Sequence, residues 1–118
     1  MKAIRVLMID DEPSVLFALK LLMEALGYEV TTADSGADGL EILSTATESF
    51  DYVLCDLKMP NLNGLEVLSR VREISPSTPF VLMSAHATQG EIQQAQALGI
   101  SGFLGKPFTP DEIKKLIC

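Results

Sequence analysis

The sequence predicts an α/β fold built on a parallel sheet, and three observations carry that expectation. Short apolar runs alternate strictly with helix-like segments, giving five strand–helix units in a row. The central run, Tyr52-Val53-Leu54-Cys55, is apolar without a break, as suits a strand covered on both faces. Turn formers punctuate the runs; Met59-Pro60-Asn61 and Asn63-Gly64 follow the central one. With 118 residues, 47% of them apolar, the chain is expected to fold as one domain, 1–118. It shows no internal repeat, low-complexity tract or linker.

The elements follow in order. Ile4 to Ile9 makes the first strand, interrupted only by Arg5. Pro13 opens a helix in which Val15, Leu19, Leu22 and Leu26 keep helical spacing, Leu16 and Met23 widen the stripe, and Gly27 ends it. Tyr28 to Ala33 is more polar and alternating, which suits an edge strand. Ser35 caps a second helix carrying Leu40, Ile42 and Leu43. Gly36 and Gly39 weaken it, Gly39 by about 1 kcal/mol relative to Ala. After the central strand comes a helix over about Gly64 to Ile74, with Leu65, Leu68 and Val71 inward. Phe80 to Met83 is a fourth strand that delivers Ser84-Ala85-His86. Helix four, about Thr88 to Leu98, sets Gln93, Gln94 and Gln96 against Ile92 and Leu98, so its docking is expected to be soft; Gly99 ends it. Ile100 to Leu104 forms the fifth strand, and a short last helix starts at about Pro110 with Ile113, Leu116 and Ile117 inward.

Composition narrows the function. Nine basic against sixteen acidic residues leave a net charge of −7, which argues against binding nucleic acid through its phosphates. No apolar run nears the ~18 residues of a membrane span, and the start lacks a signal-peptide cleavage site, so the cytoplasm is the expected compartment. Cys55 and Cys118 have neither metal-ligand spacing nor a disulfide pattern; Cys55 reads as a buried thiol. The single His86 has no His or Cys near it in sequence to make a zinc site.

The chemistry collects just past the strands. Strand one ends in Asp10 and Asp11, strand three in Asp56, strand four in Ser84, and Lys106 follows strand five. Parallel strands put all these residues on one edge, where ligands gather in such sheets. Like charges about 4 Å apart repel by ~4 kcal/mol at an effective dielectric of 20, so three clustered carboxylates call for a counterion. Mg²⁺ suits an all-oxygen site that also takes phosphate oxygens. Lys106 offers a point charge for a phosphoryl oxygen, Ser84 a hydroxyl, and Asp56 a nucleophile able to form an aspartyl phosphate.

Ile9-Asp10-Asp11-Glu12-Pro13, Asp56-Leu57-Lys58-Met59-Pro60…Gly64, Met83-Ser84-Ala85 and Lys106-Pro107-Phe108 together resemble the response-regulator receiver domain of two-component signalling. The resemblance covers essentially the whole chain. It implies a flavodoxin-like (βα)5 three-layer sandwich with a sheet of order 2-1-3-4-5. It also implies Asp56 as phosphoacceptor, Asp11 as a direct Mg²⁺ ligand, Asp10 acting through a metal-bound water, and the Lys58 carbonyl completing the protein ligands. Ser84, the Ala85 backbone N–H and Lys106 would hold the phosphoryl group. Ser84 and Phe103 match the family's switch pair, and Lys106-Pro107 matches a cis peptide. The implied partners are a sensor histidine kinase or phosphotransfer protein and an output domain or effector at the face of helix four, strand five and helix five. A phosphorylation-dependent dimer stays open, as does the choice between a stand-alone receiver and part of a larger regulator.

Some positions depart from the common pattern. Ser84 stands where Thr is frequent, Phe103 where Tyr is frequent, and Lys58 and His86 each lie two residues past a key position. Lys58 is expected to alter hydrolysis of the phosphoryl group. Plainer readings remain beside these: Asp10 and Asp11 as helix-capping acids, Glu12 as a solvated first-turn acid, and Phe103 as a statically packed ring. Two rival functions are a phosphorylation-independent interaction module and a Mg²⁺-dependent phosphohydrolase with an Asp nucleophile. Against the second, Lys58 occupies the place of the second acid that many such enzymes carry.

Overall fold

A computed structural model describes residues 3–117; Met1, Lys2 and Cys118 lie outside the described residues. The elements are β1 (Arg5–Ile9), α1 (Pro13–Ala25), β2 (Glu29–Ala33), α2 (Gly36–Thr45), β3 (Tyr52–Asp56), α3 (Gly64–Ile74), β4 (Phe80–Ser84), α4 (Gln89–Ala97), β5 (Gly102–Gly105) and α5 (Pro110–Leu116). The five strands form one parallel sheet of order β2-β1-β3-β4-β5. This is the flavodoxin-like order that the resemblance implies.

Alternating side chains of the inner strands divide into two cores. Leu7, Ile9, Val53, Cys55, Phe80 and Leu82 pack with Val67, Leu68, Val71 and Ala95 on the face covered by α2, α3 and α4. Val6, Met8, Leu54, Val81 and Met83 pack with Leu16, Met23, Ile113 and Ile117 on the face covered by α1 and α5. The unbroken apolar runs are therefore two interleaved sets, one for each face. Arg5 is tolerated at the start of β1 because its guanidinium lies over the Phe50 ring, 4.6 Å from the centroid, and donates to the Glu48 and Ser49 carbonyls.

Three details differ from the sequence reading. The buried centre of α1 is Leu16 and Met23, with Leu19, Leu22 and Leu26 half-buried at its flanks. Phe17, 66% exposed, and Leu21, 54% exposed, follow on the outer side, because α1 carries more apolar residues than one face can cover. In α3 the buried residues are Val67, Leu68 and Val71, whereas Leu65 is only half-buried. Finally, β2 and β5 start later than the apolar patterns suggest. The Tyr28 N–H bonds the Met23 carbonyl and the Ile100 N–H the Ala95 carbonyl, each one residue past a positive-φ glycine, Gly27 and Gly99. These are Schellman closures, and they spend Tyr28 and Ile100 on ending helices.

Gly39 is a packing requirement as well as a helix weakener. A Cβ there would fall 2.4 Å from Ile9 Cδ1 and 2.7 Å from its Cγ1, so the buried Ile9 side chain would have to shift to admit one.

Candidate functional site

The carboxyl ends of β1, β3, β4 and β5 meet at one edge. Asp10 leaves β1 fully buried, its N–H donating to the Ala33 carbonyl (3.1 Å) and its Oδ1 accepting from the Glu12 N–H (3.0 Å). Glu12 is exposed and occupies the N-cap of α1 without a side-chain cap bond, so none of the three acids caps that helix through its side chain in the usual way. Asp56 is the last residue of β3, 8% exposed. Oxygens of Asp10, Asp11 and Asp56 all lie within 4.8 Å of one another.

Lys106 reaches this cluster from the end of β5. Its Nζ sits 2.9 Å from Asp10 Oδ2 and 3.5 Å from Asp56 Oδ1. Burial alone would lower the ammonium's pKa, but the Asp10 hydrogen bond and the charges of Asp56 and Asp10 outweigh it and hold it above 10.5. For Asp56, burial raises the carboxyl above its ordinary 3.8; Lys106 pulls the other way, and the charges of Asp10 and Asp11 add to the rise. One ammonium thus leaves the cluster under-compensated. The donor set is all oxygen, carries excess negative charge and is tightly grouped, which fits a hard divalent cation.

Backbone ties place these groups. The Lys106 N–H donates to the Ser84 carbonyl and the Leu57 N–H to the Met83 carbonyl, both at 2.9 Å. The Gly64 N–H donates to the Leu57 carbonyl (2.9 Å), folding the loop after Asp56 back on the strand, with Asn61 at positive φ in its turn. A Cβ on Gly64 would fall 2.6 Å from the Asp56 carbonyl oxygen and 2.8 Å from the Leu57 Cα, both backbone atoms. Gly64→Ala should therefore cost about 1–3 kcal/mol despite the better helix former it installs. Gly102→Ala, whose Cβ would meet only the Leu116 side-chain tip, should cost less. Urea denaturation of both variants checks the order.

The remaining sequence candidates are placed as follows. The Ser84 hydroxyl donates to the His86 carbonyl (2.7 Å) and accepts the His86 N–H (3.1 Å), so it is engaged within its own loop. Ala85 and His86 are exposed in that loop, and Phe103 is half-buried against the α2–α3–α4 core. The Lys106–Pro107 bond is cis. Cys55 is a buried thiol, its pKa pushed well above the usual 9.0 by burial and then by the charges of Asp56 and Asp10. The Lys58 side chain reaches α4, with Nζ 2.7 Å from Glu91 Oε2. Glu91 is the residue that sequence reasoning missed; its signal was the Thr88-x-x-Glu91 capping box at the start of α4.

Residues 6–118 match the family model described as the response regulator receiver domain. The transcriptional regulatory protein GlrR of Escherichia coli is 33% identical over 116 residues, covering 98% of this chain and 26% of the relative. DltR of Streptococcus agalactiae is 37% identical over 109 residues, 92% of this chain and 48% of the relative. The chain thus spans less than half the length of these two relatives. A receiver domain protein of Clostridium thermocellum superposes with a TM-score of 0.91 at 33% identity, covering 98% of this chain and 91% of the other. The chemotaxis protein CheY4 of Vibrio cholerae gives 0.88 at 30%, covering 97% and 95%. Sheet order, the acidic edge and these similarities agree: the chain belongs to the response regulator receiver domains of two-component systems.

Proposed function

We propose that residues 1–118 act as one phosphoacceptor domain, taking a phosphoryl group from the phosphohistidine of a sensor kinase or phosphotransfer protein onto Asp56. The observation that carries this reading is the cluster itself: Asp56 lies within 4.8 Å of two further carboxylates and 3.5 Å from the Lys106 ammonium. In the transfer, an Asp56 oxygen attacks phosphorus and the P–N bond breaks, its electron pair leaving with the imidazole. Asp11, Asp56 and the Lys58 carbonyl would hold Mg²⁺, with Asp10 acting through water, and the bound cation would offset the repulsion between the anionic donor and acceptor. Lys106 takes a phosphoryl oxygen, and the Ser84 hydroxyl and Ala85 N–H take another once the Ser84–His86 bonds open. Positioning and charge stabilisation carry most of such a step.

The output is a shift in the population of the α4–β5–α5 face as Ser84 moves and Phe103 turns. Similar receivers occur in a transcriptional regulator and in the sensor histidine kinase RcsC of Salmonella typhi, so an output domain or a partner protein would read this face. The domain catalyses only its own phosphorylation and dephosphorylation. The net charge of −7 argues against direct nucleic-acid contact. Among the described residues no helix is long and apolar enough to cross a membrane; we place its action in the cytoplasm.

Intact mass spectrometry with acetyl phosphate and Mg²⁺ tests the reading. One added phosphoryl group is expected, labile to hydroxylamine and lost both with a chelator and in Asp56→Asn. No gain under conditions that label an authentic receiver would favour a phosphorylation-independent interaction module.

A further inference from the structure

We propose that Glu91 holds the Lys58 ammonium off the Asp10–Asp11–Asp56 cluster and so keeps that cluster open to a divalent cation. The inference rests on the reading of the cluster as a cation site. Lys58 follows Asp56 by two residues, so the two Cα atoms are at most ~7 Å apart. Its ammonium rides on a flexible four-carbon stem. The cluster has three carboxylates and one ammonium nearby, so electrostatics alone would draw a second ammonium into it. There it would compete with the metal. Instead Lys58 Nζ lies 2.7 Å from Glu91 Oε2 on the first turn of α4.

Glu91 is held ready for this contact. Its Oε1 accepts the Thr88 N–H (2.9 Å) and its own N–H donates to Thr88 Oγ1 (3.1 Å), the two halves of a capping box. One carboxylate oxygen therefore anchors the side chain to its helix while the other faces Lys58. Glu91 is thus a positioning residue, acting on the site only through Lys58.

The test is the Mg²⁺ dissociation constant, measured by calorimetry at low ionic strength without any phosphodonor. Glu91→Gln keeps an acceptor for the Thr88 N–H and removes the charge that holds Lys58. Its Mg²⁺ Kd should rise by about two- to fivefold, the range expected of an exposed ion pair. Lys58→Met supplies the background in which there is no ammonium to release. Adding Glu91→Gln to Lys58→Met should change nothing further. An unchanged Kd in Glu91→Gln overturns the proposal. So does a rise that persists in the Lys58→Met background, since Glu91 would then act by its own charge. A parent protein that fails to bind Mg²⁺ would overturn the cation site as well, a result distinct from either.

Discussion

Asp56→Asn should be more stable than the parent protein in metal-free buffer, by roughly 1–2 kcal/mol at neutral pH. Asp56 is a nearly buried carboxylate facing Asp10 and Asp11, and Lys106 only partly offsets the cost. Its folded pKa lies above the ordinary 3.8, so between 3.8 and that raised value the folded state binds more protons than the unfolded one. Stability therefore falls as pH rises through this window, and the loss persists at higher pH. Asparagine removes the titration, so the variant's stability should stay flatter across the same window. Chemical denaturation in a chelating buffer at several pH values checks both parts. A variant less stable than the parent would mean that attraction to Lys106 outweighs burial and repulsion.

Lys106→Met should have the opposite sign and a larger size. Among the described residues it leaves fully buried Asp10 with the Glu12 N–H as its side-chain partner, and Asp56 without its ammonium. Stranding one member of a buried ion pair typically costs ~3–5 kcal/mol. Lys106 is itself a quarter exposed, so about 2–3 kcal/mol is expected here. Mg²⁺ should recover more of the loss than it adds to the parent, because the divalent cation no longer shares the carboxylates with an ammonium. Thermal denaturation with and without Mg²⁺ reads this difference. The Lys106 contribution to the parent is fully present below the unfolded lysine pKa of 10.5 and fades as pH rises through the higher folded value.

Much of the fold and the site's location were legible because they depend on local pattern. Five apolar runs in alternation with helices demand a parallel sheet, and a parallel sheet gathers its strand ends on one edge. That logic places Asp10, Asp11, Asp56, Ser84 and Lys106 together. The strand order itself was legible only through the resemblance. What the pattern could not show depends on neighbours distant in sequence. Gly36 and Gly39 looked like poor helix formers, but the Gly39 requirement is a close approach to Ile9, thirty residues earlier. Tyr28 and Ile100 looked like strand residues because apolar character does not distinguish a strand from a Schellman closure. The direction of the Lys58 side chain depends on Glu91, thirty-three residues on, and the engagement of Ser84 on the geometry of its own loop.

The two ends of α4 are held very differently. Its buried anchorage is limited to Ala95, as its glutamine-rich sequence suggests. At the C-terminal end, however, Arg72 of α3 donates to the Leu98 and Gly99 carbonyls, both at 2.9 Å, and to the Thr78 carbonyl at 2.8 Å. The N-terminal end is tied to the loop after Asp56 by the exposed Lys58–Glu91 pair. The helix is therefore a lever with its fulcrum at the guanidinium. The displacement that breaks the fewest bonds is a tilt swinging the Gln89 end while the Leu98 end stays in place. A surface reading such a tilt would sense the largest travel at the first turn, next to the site, and the least at Arg72.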